Sequence, residues 1–406
     1  MVFNIGNTLI FLCRTKERFR NNLIFNGVYA SYIAYRLSLM MMQSNAFCLR
    51  ALICGLLQGY TTPAKDNKKA HGEAEITPLN IAQRVELSDC SVFESFSTPT
   101  RYRFYDYGNL KALDISQEDV LISSVLKISN DFDLFLHRAR LYERLESERG
   151  SALQASSSFD EFAITTRAEK FYPGLMDELR KLTELDDFWF YLRADYIEGM
   201  IRTINFDKSL PVMNDEHTLS LARLLSTIVD MKNPLTYHHS LKVGELASFI
   251  GKKMYLDERT CNRLYLAGLL HDLGKINTAD GILNKRGKLT PGEYRTIQRH
   301  VTDTRGILRS IIIDENVVDW AAEHHERIDG SGYPMKKRGE QLSLPSRIMA
   351  IADIFQALCQ KRTYREALPL DKVLSIIRTE CANGKICSRT FSVFEENAKE
   401  CYEIAK

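Results

Sequence analysis

The stretch AGLLHDLGKI, from Ala267 to Ile276, carries the reading of this chain. Leu264, Ala267 and Leu270 recur at helical spacing, so a helix with a buried face should run to this point and end near Gly274. His271 and Asp272 then leave the buried face as the helix stops. A neutral imidazole beside a hard carboxylate oxygen can serve one metal, and the second carboxylate oxygen can reach another. An ordinary helix end can also hold a single His-Asp pair, so the weight rests on what surrounds it.

Further along, AAEHHERIDGSGYP closes a second expected helix whose apolar part includes Val317, Val318 and Trp320. His324 and His325 are neighbours and cannot both face a core. Burying either without a partner is costly, so a shared ligand is the economical explanation. Gly330, Gly332 and Pro334 surround Tyr333, which reads as exposed. Glycines let a backbone approach a ligand closely, and the proline fixes the tyrosine's exit from the turn. A surface turn would account for the glycines, but not for two histidines, an aspartate and a tyrosine in one register. In chain order the candidates are His239, His271, Asp272, His300, His324, His325 and Asp353, which take five of the nine histidines. That order looks like the ligand set of a two-metal phosphohydrolase.

From about Glu216 to the C-terminus the chain resembles the HD-GYP branch of the HD phosphohydrolases, which hydrolyse cyclic dinucleotides such as cyclic di-GMP. The resemblance rests on His271-Asp272-x-x-Lys275, on His325-Glu326-x-x-Asp329-Gly330-x-Gly332-Tyr333-Pro334, on ILNKRGKLT from Ile282 to Thr290, on the spaced His300 and on IADIFQAL around Asp353. Lys361 to Arg365 is similar to the family's Arg-x-Tyr-Arg segment, with Lys361 where an acidic residue is common. It implies a mostly α chain, with an all-helical HD-type catalytic domain over 216–406.

Carried over position by position, the resemblance puts His239, His271 and Asp353 on one metal and His300, His324 and His325 on the other, with Asp272 bridging. The donor chemistry agrees: each ion has three protein ligands plus the bridge, leaving places for water and a phosphate oxygen. A mixed imidazole and carboxylate set suits two divalent ions, Fe or Mn first and then Co, Ni or Mg, rather than a closed structural zinc site. The absence of any CxxC pair points the same way. Some relatives hold a third metal through a Glu four residues ahead of the first ligand histidine; this chain has Leu235 there, so two ions are expected. The helical run through Val243, Leu246 and Ile250 favours His239 over its neighbour His238 as the ligand.

Two cations held about 3.5 to 4 Å apart acidify a water and clamp a phosphodiester for in-line attack. Hydroxide attacks phosphorus, the 3′ oxygen leaves, and a cyclic dinucleotide, cyclic di-GMP or 3′,3′-cyclic GMP-AMP, is opened to the linear form. The family places a lysine corresponding to Lys275 beside the scissile phosphate, where it stabilises charge on the phosphoryl oxygens. Arg362 and Arg365 have forked donors suited to the second phosphate or a guanine edge, and Tyr333 joins them as a substrate contact. The other reading is a module that binds a nucleotide, or a cyclase-domain partner at the Gly330 to Pro334 loop, without turnover. A binding-only descendant has no need of seven ligands, so the enzyme is favoured.

At 406 residues the prior is two or three domains. A net charge of +2 gives no general polyanion-binding surface, which argues against duplex nucleic acid. Nine scattered cysteines without a disulfide framework point to a reducing, cytoplasmic setting. Residues 66–215 read as a regulatory or dimerisation domain, helical or α+β, with helical stretches at Asp131 to Ser147 and Leu175 to Leu192. Loops are expected at Ser151 to Ser158 and near Pro173, and strand-like alternation in TRYRFYDYG, Thr100 to Gly108. Residues 1–65 are basic and partly apolar. Arg36 and Arg50 cut the apolar material into pieces of 15, 13 and 14 residues, each short of the roughly 20 needed to span a bilayer. A signal anchor or an interfacial helix giving peripheral membrane association, or a natural start at Met40, Met41 or Met42, are the readings open there.

Overall fold

The structure, a computed structural model, describes residues 2–19, 27–64, 86–142, 158–232, 238–285, 287–360 and 366–406. It divides into two units, one of Ile5–Met213 and one of Met1–Asn4 with Asn214–Lys406. Both are helical. Among the described residues the only β pairing is two isolated bridges, Phe3 with Ile312 and Asp329 with Arg338.

In the first unit the apolar pieces near the N-terminus form the helices Gly27–Met40 and Asn45–Leu57, which are buried over most of their length. They pack on each other and on Gln117–Arg138. The two arginines that interrupt the apolar run tie this core to polar partners. Arg36 donates to Tyr32 Oη at 2.7 Å and to Asp187 at 3.1 Å, and Arg50 pairs with Glu118 and Asp119. Among the described residues no helix is long and apolar enough to cross a membrane.

The strand expected in Thr100 to Gly108 is not there. Thr100 and Arg101 close the helix Ser97–Arg101, and turns lead to the helix Tyr107–Leu110. Local bonding explains the difference: the buried Thr100 hydroxyl lies 2.8 Å from Phe96 O, one helical turn back. The buried Arg103 also folds back onto the carbonyls of Thr61 and Thr100. The alternation of aromatic and polar residues is thus a helix end and turns, with no strand beside it among the described residues. Within Asp131 to Ser147 the helix Gln117–Arg138 ends at Arg138, a turn follows at 139–140, and Leu141 and Tyr142 are helical again; residues 143–157 lie outside the described ones, and with them most of the expected Ser151 to Ser158 loop. Leu175 to Leu192 is two helices, Leu175–Thr183 and Asp186–Tyr191.

The second unit places its site where helices begin and end. Asp215–Asp230, His239–Lys253, Glu258–Leu270, His300–Ile311, Glu315–Ala322 and Leu344–Cys359 are its main helices. Several start at side-chain caps, among them Asn214, Asp257 and Ser343, each accepting from a backbone N–H in the first turn. Leu264, Ala267 and Leu270 are fully buried, as their spacing predicts. The helices His239–Lys253 and Glu258–Leu270 cross with their backbones in contact. A Cβ at Gly268 would lie 2.4 Å from Gly244 Cα. Backbone cannot swing aside as a side chain can, so Gly268→Val should cost about 3 kcal/mol, the upper end for overpacking. Urea unfolding would show this as a lower midpoint; an unchanged midpoint would mean that the crossing opens freely.

Candidate metal centre

The helix Glu258–Leu270 stops at Leu270, and His271 and Asp272 follow it directly into the 3-10 turn Leu273–Asn277. Gly274 is required at this turn: a Cβ there would sit 2.0 Å from His300 O. That close approach brings the turn against the helix His300–Ile311. Thr304, one turn into that helix, locks the two together, its hydroxyl accepting from Gly274 N at 2.8 Å and donating to His271 O at 3.0 Å. His239 opens its own helix, Asp353 lies within Leu344–Cys359, and His324 and His325 occupy the turn just past Ala322 rather than the helix itself.

These residues converge. Three groups of ligand atoms lie within 4.8 Å of one another: His239, His271 and Asp353; His300, His324 and His325; and His271, Asp272 and His324. Asp272 faces both halves. Its Oδ2 is 3.2 Å from His271 Nε2 and 3.5 Å from His239 Nε2, while Oδ1 is 3.3 Å from His300 Nε2 and 3.9 Å from His324 Nε2. Asp353 Oδ1 lies 3.4 Å from His239 Nε2, and its Oδ2 3.8 Å from His325 Nδ1. His238 is exposed, in a left-handed conformation with φ 79°, and belongs to none of these groups.

The ring orientations suit a cation. His271, His300 and His324 each donate Nδ1–H to the carbonyl three residues earlier, at 2.7, 2.6 and 2.7 Å, which leaves Nε2 with its lone pair turned to the centre. His271 Nε2 and Asp272 Oδ1 are buried and make no hydrogen bond among the described residues. Unmatched buried acceptors are expensive, and a cation between them would satisfy both.

The electrostatics agree. Burial opposes ionisation of Asp272, but the charges of His271 and Lys275 and a bond to His239 outweigh it and hold the carboxyl well below the usual range. Asp353 is held low in the same way by His239, His325 and His324 against burial. Burial, reinforced by His325 and His271, keeps His324 well below an ordinary imidazole, and burial takes His325 down to about 3. Burial also works against protonation of His239, but its bonds to Asp272 and Asp353 win and raise it to about 9. Ionised carboxylates beside neutral His324 and His325 form a donor set for divalent ions, and a cation would displace the proton on His239.

Lys275 reaches the cluster, its ammonium paired with Asp272 Oδ2. It is 25% exposed and His325 24%, whereas the other six histidine and aspartate side chains named in the ion pairs are under 10%, so the centre opens on this side. Tyr333 was read as exposed; it is partly buried, its ring 4.8 Å from that of His325 and its N–H donating to His325 O. The loop folds back because Glu326, buried, accepts from Met335 N at 2.7 Å and Lys337 N at 3.0 Å. Arg362 and Arg365 fall in 361–365, and Leu235 in 233–237, outside the described residues.

Sequence reasoning passed over several residues that hold this arrangement. Lys232 donates to the carbonyls of Ile276 and Thr278 and steadies the turn after Lys275. Asn284, within the ILNK stretch, donates to Lys232 O at 3.0 Å. Buried Glu323 accepts from Ser346 and pairs with Lys337 and Arg305. Gln356 Oε1 accepts from His239 Nδ1. Their adjacency to motif residues, Glu323 beside His324 and Gln356 one turn past Asp353, was the available signal.

The HD domain family profile matches residues 223–386. The 3′3′-cGAMP-specific phosphodiesterase 1 of Vibrio cholerae serotype O1 is 31% identical over 412 aligned residues, 99% of this chain and 94% of that protein. The chain belongs to the HD-GYP phosphodiesterase family. A further relative, the cyclic di-GMP phosphodiesterase of Thermotoga maritima, is 35% identical over 46% of this chain and 51% of its own length. The crystal structure of a cyclic GMP-AMP specific phosphodiesterase of V. cholerae, V-cGAP3, shares the fold over 97% of each chain with a TM-score of 0.58 at 20% identity.

Proposed function

We propose that this HD-GYP protein hydrolyses 3′,3′-cyclic GMP-AMP or a closely related cyclic dinucleotide to the linear dinucleotide, using two divalent ions held by His239, His271 and Asp353 and by His300, His324 and His325, with Asp272 between them. The observation that carries the substrate is the end-to-end likeness to a 3′3′-cGAMP-specific enzyme, which extends beyond the catalytic unit. Cyclic di-GMP stands as the second substrate because the Thermotoga relative is named for it.

When bound, divalent ions at such a site acidify water and neutralise phosphoryl charge. The chain's own residues do the rest. Histidines pinned through Nδ1 keep their Nε2 atoms inward without reorganising. Lys275, on the open side, is positioned to stabilise negative charge on the phosphoryl oxygens, and Tyr333 fixes the His325 ring from the loop side. Arg362 and Arg365 are assigned to the second phosphate or a guanine edge by the resemblance.

The test is to incubate Mn²⁺- or Fe²⁺-loaded protein with 3′,3′-cyclic GMP-AMP, cyclic di-GMP and a mononucleotide and to identify the products. Linear dinucleotide from the first, with metal analysis near two ions per chain, is expected. Turnover of the mononucleotide alone would place the chain among nucleotidases, and three ions per chain would overturn the reading from Leu235.

A further inference from the structure

Three of the inward-facing histidines take their orientation from the backbone. His271 and His324 follow the last turn of a helix and His300 follows the helix Pro291–Gln298, so the carbonyl three residues back lies under each ring. His239 stands at the opposite end of a helix. It is the first residue of His239–Lys253, and the left-handed His238 before it breaks the helical path. His239 Nδ1 lies 2.5 Å from Gln356 Oε1, on the helix Leu344–Cys359. Gln356 is 2% exposed and sits one turn beyond Asp353, so one helix supplies both a carboxylate facing His239 Nε2 and the amide that holds Nδ1.

We infer that Gln356 is the positioning residue of His239: its amide oxygen holds the Nδ1–H form, so that the Nε2 lone pair is presented to the ion shared with His271 and Asp353. This rests on the metal reading above and deepens it. Because the acceptor is a side chain, it is the one orienting contact among these four that a single substitution removes. Second-layer acceptors of this kind are worth about 10- to 100-fold in metal affinity. The loss is confined to one ion, since His300, His324 and His325 receive nothing from Gln356 in this arrangement.

The experiment titrates the metal-free full chain with Mn²⁺, for wild type, Gln356→Leu and Gln356→Glu, and adds ¹⁵N-histidine spectra of the same proteins loaded with Zn²⁺ as a diamagnetic stand-in. Gln356→Leu should weaken one of two binding steps by about 10- to 100-fold and leave the other unchanged. The exchange-protected Nδ1–H signal that wild type loses on His239→Ala should be absent. Gln356→Glu keeps an acceptor and should restore both. Gln356→Met, unbranched and adaptable, serves if the leucine variant does not fold. Wild-type affinity at both steps with the Nδ1–H signal intact in the leucine or methionine variant would overturn the inference and leave the metal site standing. Failure of wild type itself to bind Mn²⁺ would sink the metal reading instead.

Discussion

Asp272→Ala should lose hydrolysis altogether on the scale of a steady-state assay, a drop on the order of 10⁴-fold or more, as when one member of an interdependent catalytic set is removed. The reason is geometric. Asp272 is the side chain whose two oxygens lie apart over the two histidine groups, Oδ2 toward His239 and His271 and Oδ1 toward His300 and His324. Removing it takes a negative charge from a buried centre crowded with imidazoles and, on the proposed two-ion reading, deprives both ions of a common ligand, so metal content should fall with turnover. Linear dinucleotide measured by chromatography, with metal analysis of the same sample, decides it. Wild-type turnover with two ions per chain would show that the site lies elsewhere.

The elements that position this centre were legible where chemistry restricts residue type. Cation binding accepts few side chains, so histidines and aspartates following one another in this order could be read as an array before any fold was known, and the burial of Leu264, Ala267 and Leu270 follows from helical period alone. The supporting residues were illegible for the opposite reason. Glutamine, lysine and threonine occur everywhere, and Gln356, Lys232 and Thr304 acquire a role only when tertiary packing puts them against His239, the Lys275 turn and Gly274. Thr100 to Gly108 misled because a short alternation is compatible with both a strand and a helix end; the local bond from Thr100 to Phe96 O closes the helix, and bonds to Thr61, remote in sequence, hold Thr100 and Arg103 there. The short apolar pieces near the N-terminus were ambiguous in the same way. Their burial against Gln117–Arg138 makes them core, and nothing within each piece records that partner.

Lys275→Ala should separate catalysis from metal binding. The lysine reaches Asp272 Oδ2 yet remains a quarter exposed, so it faces the open side of the centre as well as its bridge. A protonated ammonium is no ligand, and the Nδ1 bonds that orient His271, His300 and His324 do not involve it. Its deletion should therefore leave the ions in place. Negative charge builds on the phosphoryl oxygens as the phosphodiester is attacked, and a preorganised cation stabilises that charge more in the transition state than in the bound substrate. Loss of one such donor lowers kcat by about a hundredfold to a thousandfold, on the order of 3 to 4 kcal/mol. KM should move little, because an interaction made in the transition state alone contributes nothing to ground-state binding. Lys275→Arg keeps the charge but replaces a compact ammonium by a planar fork, and it should recover part of the rate. Steady-state kinetics on both variants, with metal measured on the same samples, separate the alternatives. An alanine variant that turns over at the wild-type rate with full metal makes Lys275 a surface partner of Asp272, whereas one that loses rate and metal in proportion makes it a structural support of the bridge.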